Sequence, residues 1–370
     1  MNKDGIKTLS IRGRQFSITG TEEPLFYYLT DFSNILLGYL IMNQPKVSIA
    51  MCTYNGAKYV LEQLESFAHQ TCLPDEVVIC DDVSQDNTFD LVRQYAQQAN
   101  FQIRFYSNEK NLGYGQNFSK AIDLTTGDII FMSDQDDVWH PTKIQKFIDE
   151  FQRHQDVLMV MSDINLVNEK LVPIGKTSFE WMKFKESDKE LISSSQGFAL
   201  LVKYYINVFA GAAMAFRGAA KNILLPIPEN WGHDRWIGMV TAATGRISLI
   251  DEPLNDYRQH PKQATGSKNQ SKLESFQQAQ QRSISIEYFT KILEEYQMLR
   301  TYLAKHEGID LKPGVLDILD RKITHTQSQL RMRQQPRLLR IPLVFQEVFT
   351  GRYNDFSRVW WRGFVKDLLL

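Results

Sequence analysis

The chain has 370 residues, 43% of them hydrophobic, which is enough for two or three domains with buried cores. Its formal net charge is −1, so no overall attraction to nucleic acid is expected and no nucleic-acid partner is predicted. The three cysteines, Cys52, Cys72 and Cys80, form no CxxC pair, which favours a reduced, cytoplasmic chain over a disulfide framework.

Residues 1–44 are interpreted as an N-terminal extension. The alternation in "KTLSIRGRQFSITG" predicts a small hairpin, and "PLFYYLTDFSNILLGYLI" predicts an apolar helix. The apolar run within it, "NILLGYLIM", is far shorter than the roughly 20 residues of a membrane-spanning helix. The protein is therefore expected to be cytoplasmic, either soluble or peripheral on the inner face of the cell membrane.

Strands and helices alternate regularly from residue 45 to residue 137. Four strand-like runs, "KVSIAMCTYNG", "DEVVICDDVSQD", "IRFYSNEKNLGYG" and "GDIIFMSDQDD", are separated by three segments with helical spacing. This pattern predicts an α/β fold with a mostly parallel sheet and helices on both faces. Functional groups of such sheets lie at the carboxyl ends of the strands, and the unusual polar residues of this sequence stand there.

The alternation weakens after residue 138. "VLMVMSDINLV" predicts a strand, "HDRWIGMVTAATG" a helix ended by Gly245, and "RISLIDEPLNDYRQH" a strand followed by a loop. We therefore expect a central domain at 45–265, with halves at 45–137 and 138–265. A helical, basic region is expected at 266–370.

Three carboxylates crowd the stretch "SDQDD". Asp134 and Asp136, two residues apart at a strand end, can share a hard divalent cation such as Mg²⁺ or Mn²⁺. Such an ion usually completes its shell with phosphate oxygens. The alternative is an acidic turn whose aspartates cap the helix that follows, with Asp137 as the cap.

A second acidic pair, Asp81 and Asp82, ends the "VICDD" strand. It can accept hydrogen bonds from a nucleobase or a ribose, and Tyr54 can lay its ring on a base. The alternatives are a capping turn and ordinary packing. The sequence has neither GxGxxG after its first strand nor GxxxxGK[ST], so a nucleotide would have to be held by carboxylates and a metal.

Two further clusters lie late in the domain. His233 and Asp234 begin a predicted helix between two tryptophans, where Asp234 is either a general base or a carboxylate favoured by the helix dipole. Arg258 and His260 lie on a predicted loop, and arginine suits a diphosphate. The alternative for the loop is a solvated surface.

In this order along the chain, the motifs resemble those of the inverting family-2 glycosyltransferases with a GT-A fold. The resemblance runs from about Val47 to His260 through "VSIAMCTYNG", "DEVVICDDVSQDNT", "NLGYGQNFSKAID" and "GDIIFMSDQDDVW". The versions "SDQDDVW", "HDRW" and "YRQH" look more specifically like bacterial rhamnosyltransferases acting on surface polysaccharides. That implies dTDP-L-rhamnose as the donor.

The resemblance also implies roles for individual residues. Tyr54 and Asp82 would contact the base, with Thr53 and Asn55 shaping its pocket. Asp134 and Asp136 would hold Mn²⁺ or Mg²⁺, and Asp234 would be the catalytic base. The remaining implied positions are Arg258 and His260 toward the diphosphate, Asn117 toward the donor, and Gly211 leaving room for the sugar or acceptor.

The implied partners are a nucleotide-diphospho-sugar donor and a glycan acceptor that is lipid-linked. Residues 320–370 hold 10 Lys and Arg against 4 Asp and Glu, which suits an amphipathic helix on an anionic inner leaflet or a helical cap with a solvated basic face. A nucleotide-sugar-binding pseudoenzyme and a UDP-hexose donor remain alternatives. An oxidoreductase would need the glycine fingerprint that the sequence lacks.

Overall fold

The computed structural model describes residues 7–11, 14–18, 44–204, 209–261, 263, 285–357 and 360–369. Strands β1 (Lys7–Ile11) and β2 (Arg14–Ile18) pair antiparallel as a two-stranded sheet, which confirms the predicted hairpin. The apolar helix predicted over residues 24–41 and the domain boundary predicted at 265–266 lie outside the described residues.

The first half of the central domain is the predicted series of strands and helices. Its elements are β3 (Val47–Thr53), α1 (Val60–Ala68), β4 (Glu76–Asp81), α2 (Thr88–Ala96), β5 (Gln102–Ser107), α3 (Tyr114–Leu124) and β6 (Ile129–Ser133). Strand β3 pairs parallel with β4 and β6, and β4 pairs parallel with β5. The carboxyl ends of all four strands therefore meet at one edge.

The second half continues the same sheet. It contains β7 (Val138–Trp139), α4 (Lys143–Arg153), β8 (Val157–Asn168), β9 (Pro173–Thr177), α5 (Ser178–Trp181), α6 (Glu186–Ser193), α7 (Gly197–Tyr204), β10 (Met214–Arg217), α8 (Lys221–Leu224), α9 (His233–Thr244) and β11 (Arg246–Gln259). The strand order is β5-β4-β3-β6-β10-β8-β11-β7, with β9 beside β8. Strand β10 is antiparallel to both of its neighbours, β7 is antiparallel to β11, and β9 is antiparallel to β8. The sheet is therefore mixed, and six of its nine described strands run in the same direction.

The chain between residues 251 and 259, predicted as part strand and part loop, is strand throughout. Strand β11 runs parallel to β8 as far as the pair Gln259 and Asn168, with irregularities near Pro253. The length of β8 explains this difference, because its 12 residues give the end of β11 a partner that local sequence does not reveal.

Hydrophobic cores lie on both faces of the sheet. Along β3, Ile49 and Met51 pack into one cluster with α1, α2 and α4. Ala50, between them, faces the opposite cluster, which also contains Phe118 of α3 and Trp236 of α9. Two covered faces explain why β4 is buried at every residue and reads as a continuous apolar run.

The carboxyl-terminal region is helical, as predicted. It contains α10 (Ile286–Lys305), α11 (Val315–Gln334), α12 (Arg337–Phe349), α13 (Arg352–Phe356) and α14 (Trp360–Leu369). Tyr296 of α10 and Leu319 of α11 are buried in the same cluster as Trp236, so these two helices pack on the α9 side of the sheet. In the described ranges, no helix has both the length and the apolar character needed to cross a bilayer.

Candidate active site

The ends of β3 and β4 are joined by side-chain hydrogen bonds. Thr53, which is buried, donates from Oγ1 to Asp81 Oδ1 at 2.7 Å, and the backbone N–H of Ser84 donates to Asp81 Oδ2 at 2.8 Å. Asn55 donates its N–H to Ser84 Oγ at 2.8 Å. Thr53 and Asn55 thus shape the turn that carries the acidic pair.

The turns that follow β3 and β4 each contain a residue in an uncommon backbone conformation. Asn55 has φ 50° and Val83 has φ 66°, both in the left-handed region. The region is unfavourable for a β-branched residue such as valine, so the surrounding hydrogen bonds must hold Val83 there. Strained positions of this kind cluster at functional sites.

Asp82 is buried and accepts three hydrogen bonds from protein donors. It accepts from Leu112 N at 2.7 Å, Gly113 N at 2.9 Å and Asn108 Nδ2 at 2.9 Å. The carboxylate therefore fixes the loop before α3. Gly113 has φ 76°, a backbone geometry that glycine adopts without strain.

Asn117, predicted to face the donor, is placed differently. It is 2% exposed, donates from Nδ2 to the carbonyl of Cys80 at 2.8 Å, and accepts from Asn108 at 2.9 Å. Because both ends of its amide bind inside the protein, Asn117 supports the loop of Asp82 instead of facing a ligand.

Tyr54 stands at the mouth of the site, with its residue 51% exposed. Gln135, between Asp134 and Asp136, accepts from Tyr54 N at 2.8 Å and donates to Tyr54 O at 3.0 Å. A Cβ atom on Gly56 would lie 2.0 Å from Gln135 Oε1, so only glycine admits this contact. Sequence reasoning missed Gln135, which ties the predicted base pocket to the predicted metal motif.

The three aspartates after β6 form a cluster with high mutual repulsion. Burial, followed by the charges of Asp136 and Asp234, raises the pKa of Asp134 to about 7. Burial, followed by the charges of Asp136 and Asp134, also raises the pKa of Asp137 well above its usual range. Asp234 lies close enough to act on Asp134, so the structure brings the predicted base and the predicted metal motif together.

Lys143 supplies a buried positive charge beneath this cluster, which sequence analysis did not identify. Its ammonium group donates to the carbonyl of Ala212 and lies 3.9 Å from the ring centroid of Trp139. Burial lowers its pKa to about 7, although Asp137 and Asp134 act in the opposite direction. Lys143 therefore offsets part of the negative charge at the end of β6.

We expect Lys143→Met to destabilise the protein by about 3 kcal/mol at pH 7, because it leaves a buried carboxylate cluster without its cation. Adding Asp137→Asn should recover at least half of that loss, since the amide keeps the hydrogen bond from Arg258 N and carries no charge. Urea unfolding of the two single variants and the double variant measures the coupling. Additive effects would show that the two groups do not interact.

Asp234 and His233 begin α9, as predicted. Asp234 is partly buried, and its Oδ1 accepts from Arg235 N at 2.7 Å. His233 stacks on Phe118, with ring centroids 4.0 Å apart, and burial lowers its pKa to about 4, which makes it neutral at pH 7. A Cβ atom on Gly211 would lie 2.6 Å from His233 Nε2, so Gly211 leaves room for this ring.

Arg258 was predicted to lie on a loop, either facing the diphosphate or solvated, but it lies in strand β11. It is 2% exposed, and its guanidinium donates to Asp136 O at 2.8 Å, to Glu169 O at 2.7 Å and to the carboxylate of Glu62. The guanidinium also lies 4.5 Å from the ring centroid of Tyr59. Arg258 therefore braces the backbone of the metal motif from inside the protein.

His260 reaches the predicted metal motif directly. Its Nε2 lies 2.7 Å from Asp136 Oδ2, and its ring lies 4.9 Å from that of Tyr59. His260 thus contacts the carboxylate that was predicted to bind the cation, next to Arg258.

The residues present fit a cation that takes most of its ligands from elsewhere. Within the described part of the chain, no group of three His, Cys, Asp or Glu side chains is placed to hold a metal ion. The oxygen donors of Asp134 and Asp136 nevertheless suit a hard cation, and the raised pKa of Asp134 shows negative charge that a cation would stabilise. Phosphate and water would complete the shell.

Parts of this chain are similar to known proteins. The model of the glycosyl transferase family 2 domain matches residues 48–209. An uncharacterized glycosyltransferase of Nostoc sp. is 30% identical over 220 residues, covering 58% of this chain and 65% of the relative. The dTDP-rhamnosyl transferase RfbG of Shigella flexneri is 38% identical over 103 residues, 27% of this chain and 36% of the relative.

Solved structures share the fold. TarS residues 1–349 of S. aureus, in complex with UDP-GlcNAc, gives a TM-score of 0.52 at 18% identity, covering 76% of this chain and 72% of TarS 1–349. The curated relatives named above are matched over less than two thirds of their own lengths. Residues 48–209 of this chain are thus similar to a glycosyl transferase family 2 domain, and the fold around them is of the GT-A type.

Proposed function

We propose that this protein transfers a sugar from a nucleotide-diphospho-sugar donor to a hydroxyl group of a glycan acceptor, with inversion. The observation that carries the proposal is that Asp234, at the start of α9, lies near enough for its charge to act on Asp134, which follows β6. The proposed base therefore lies near the proposed cation site, at the carboxyl end of the sheet. The similarity of residues 48–209 to a glycosyl transferase family 2 domain supports the same reaction class.

Asp234 would act as the general base. Its carboxylate takes the proton of the acceptor hydroxyl as that oxygen bonds to the anomeric carbon of the donor sugar. The bond from the anomeric carbon to the phosphate oxygen breaks, and the nucleoside diphosphate leaves with the electron pair. Because the acceptor attacks from the face opposite the leaving group, one displacement inverts the configuration and needs no enzyme nucleophile.

Asp134 and Asp136 would hold Mn²⁺ or Mg²⁺. When bound, such an ion stabilises the negative charge that develops on the leaving diphosphate. Gln135 keeps these aspartates in register with Tyr54, whose exposed ring is available to stack on a base. His260 orients Asp136 through its Nε2.

The finer assignments follow the motifs of the sequence. We propose dTDP-L-rhamnose as the donor, since the 103-residue match to a dTDP-rhamnosyl transferase of Shigella flexneri supports it, with a UDP-hexose as the alternative. The proposed acceptor is a lipid-linked bacterial surface polysaccharide at the inner face of the cell membrane. A pseudoenzyme that binds the donor without turnover is the second candidate, and Asp234 next to Asp134 argues against it.

A donor panel tests this function. Melting temperatures are measured with dTDP-L-rhamnose, UDP-glucose and GDP-mannose, each with Mn²⁺ and with a chelator, and transfer is followed by release of the nucleoside diphosphate. A donor at 100 times its Kd stabilises the folded state by about 2.7 kcal/mol, which corresponds to several degrees. We expect the largest shift with dTDP-L-rhamnose and Mn²⁺.

The other outcomes separate the alternatives. A larger shift with UDP-glucose would replace the proposed donor, and binding without release of nucleotide in the presence of acceptor would favour the pseudoenzyme. No shift with any nucleotide sugar would contradict the transferase proposal.

A further inference from the structure

Helix α12 exposes a continuous apolar face. Leu338, Ile341, Phe345 and Phe349 follow one another at helical spacing and lie on one side of the helix, and Leu338 and Phe349 are 80% and 86% exposed. The opposite side is used inside the protein, where Val344 and Glu347 are buried. Packing within the described residues therefore leaves this face in contact with solvent.

Helix α14 extends the same surface. Trp361, Val365 and Leu369 lie one turn apart and are exposed. The two helices pack together, and the ring centroids of Phe345 and Phe364 lie 6.1 Å apart. We call these seven exposed residues of α12 and α14 the apolar strip: Leu338, Ile341, Phe345, Phe349, Trp361, Val365 and Leu369.

The carboxylates of residues 320–370 are all neutralised by arginines. All four acidic residues of 320–370 are in ion pairs: Asp320 with Arg300, Asp355 with Arg321, Glu347 with Arg352, and Asp367 with Arg333. Glu347 and Asp367 are also buried.

Three arginines of this region, Arg331, Arg337 and Arg362, are exposed, and none makes an ion pair with a described residue. Arg337 directly precedes Leu338, and the guanidinium of Arg362 lies 5.5 Å from the ring centroid of Trp361. The exposed side of α12 and α14 thus combines apolar side chains with positive charge, while the acidic groups of the segment are neutralised.

We propose that the apolar strip binds the surface of an anionic lipid bilayer, with α12 and α14 lying in the plane of the headgroups. Tryptophan, phenylalanine and leucine enter the headgroup boundary favourably, and exposed arginines bind lipid phosphates. A second copy of this chain fits less well, because a two-fold interface would bring together two copies of the same positively charged surface. The inference goes beyond the proposed sugar transfer and does not depend on it.

Flotation of the full chain with lipid vesicles tests the surface. We expect binding to phosphatidylcholine vesicles that contain about 30% phosphatidylglycerol, and at least about tenfold weaker binding to pure phosphatidylcholine. The triple variant Leu338→Ser, Ile341→Ser, Phe349→Ser should lose at least about tenfold in binding to the anionic vesicles. These side chains are exposed, so the variant should retain the melting temperature of the wild type.

A matched control variant replaces three exposed apolar residues with serine on another part of the surface. Val172→Ser, Ile174→Ser and Trp181→Ser remove three exposed apolar side chains around β9 and α5 and should leave vesicle binding unchanged. Equal loss in both variants, or no binding of the wild type to anionic vesicles, would overturn the proposal. So would a wild-type dimer in sedimentation that the triple variant at the strip converts to a monomer.

A measurement of donor binding distinguishes a failure of this inference from a failure of the proposed function. The triple variant at the strip should give the same nucleotide-sugar melting shift as the wild type, since the substituted side chains are exposed on α12 and take no part in the candidate site. Failure of vesicle binding would leave the donor result standing, and failure of donor binding would leave the vesicle result standing.

Discussion

Asp234→Asn should lower the rate of sugar transfer by about 10³-fold, because a positioned general base contributes about 10² to 10⁴. The amide has nearly the same shape and can still accept from Arg235 N, so the start of α9 should remain intact. It cannot take the proton of the acceptor hydroxyl. Single-turnover transfer with dTDP-L-rhamnose measures the loss, and calorimetry should show a donor Kd within about twofold of the wild type.

Asp317→Asn is the matched control for this result. Asp317 also lies in the first turn of a helix, α11, and it is exposed and distant in sequence from the site. Its substitution should leave both transfer and donor binding unchanged. If Asp234→Asn instead abolishes donor binding while the melting temperature is unchanged, Asp234 binds the donor and another group is the base.

Asp136→Ala should weaken binding of the nucleoside diphosphate in the presence of Mn²⁺ by at least about tenfold, a loss of about 1.4 kcal/mol. The substitution removes one of the two carboxylates that would bind the cation, and it removes the partner of His260 Nε2. Transfer should fall with donor binding. Calorimetric titration of dTDP into the variant, with Mn²⁺ and then with a chelator, measures the effect.

His260→Ala distinguishes the charge of Asp136 from its structural role. That variant breaks the same hydrogen bond but keeps the carboxylate, so dTDP binding should still strengthen when Mn²⁺ is added. If His260→Ala eliminates the response to Mn²⁺ as fully as Asp136→Ala does, His260 itself takes part in holding the cation. If neither variant changes the response, the cation is held elsewhere.

Much of the fold could be predicted because the strongest signals, apolar runs and helical spacing, depend only on residues that are neighbours in sequence. The alternation between Val47 and Ser133 gave four parallel strands and three helices, since buried parallel strands read as continuous apolar runs and helices show their own spacing. The same logic placed Asp82 and Asp134 at the carboxyl ends of their strands. The start of α9 at His233 and its end before Gly245 also match the structure.

The surroundings of the site residues were less predictable, because their partners are distant in sequence. Arg258 bonds to Glu62, 196 positions away, and to Glu169, 89 positions away. Nothing in "DYRQH" distinguishes an arginine enclosed by such partners from one on a solvated loop. The continuation of β11 into this stretch, which creates the enclosure, depends equally on the long strand β8.

Lys143 and Asn117 are two more residues whose surroundings could not be predicted from local sequence. A lysine in "PTKIQKF" reads as an exposed helix residue, yet Lys143 is fully buried and lies against Trp139. The only sequence signal was the excess of carboxylates at Asp134, Asp136 and Asp137, which required a positive charge nearby. Asn117 was assigned from the resemblance alone, and its two buried hydrogen bonds could not be read from its neighbours.

The central claim is that a divalent cation, held by Asp134 and Asp136, binds the diphosphate of the donor. The most direct test is the affinity of the wild-type protein for dTDP, measured by calorimetry with Mn²⁺ and again after chelation. We expect Mn²⁺ to tighten binding by at least about tenfold, or about 1.4 kcal/mol. Equal affinity for dTDP with Mn²⁺ and with the chelator would contradict the claim.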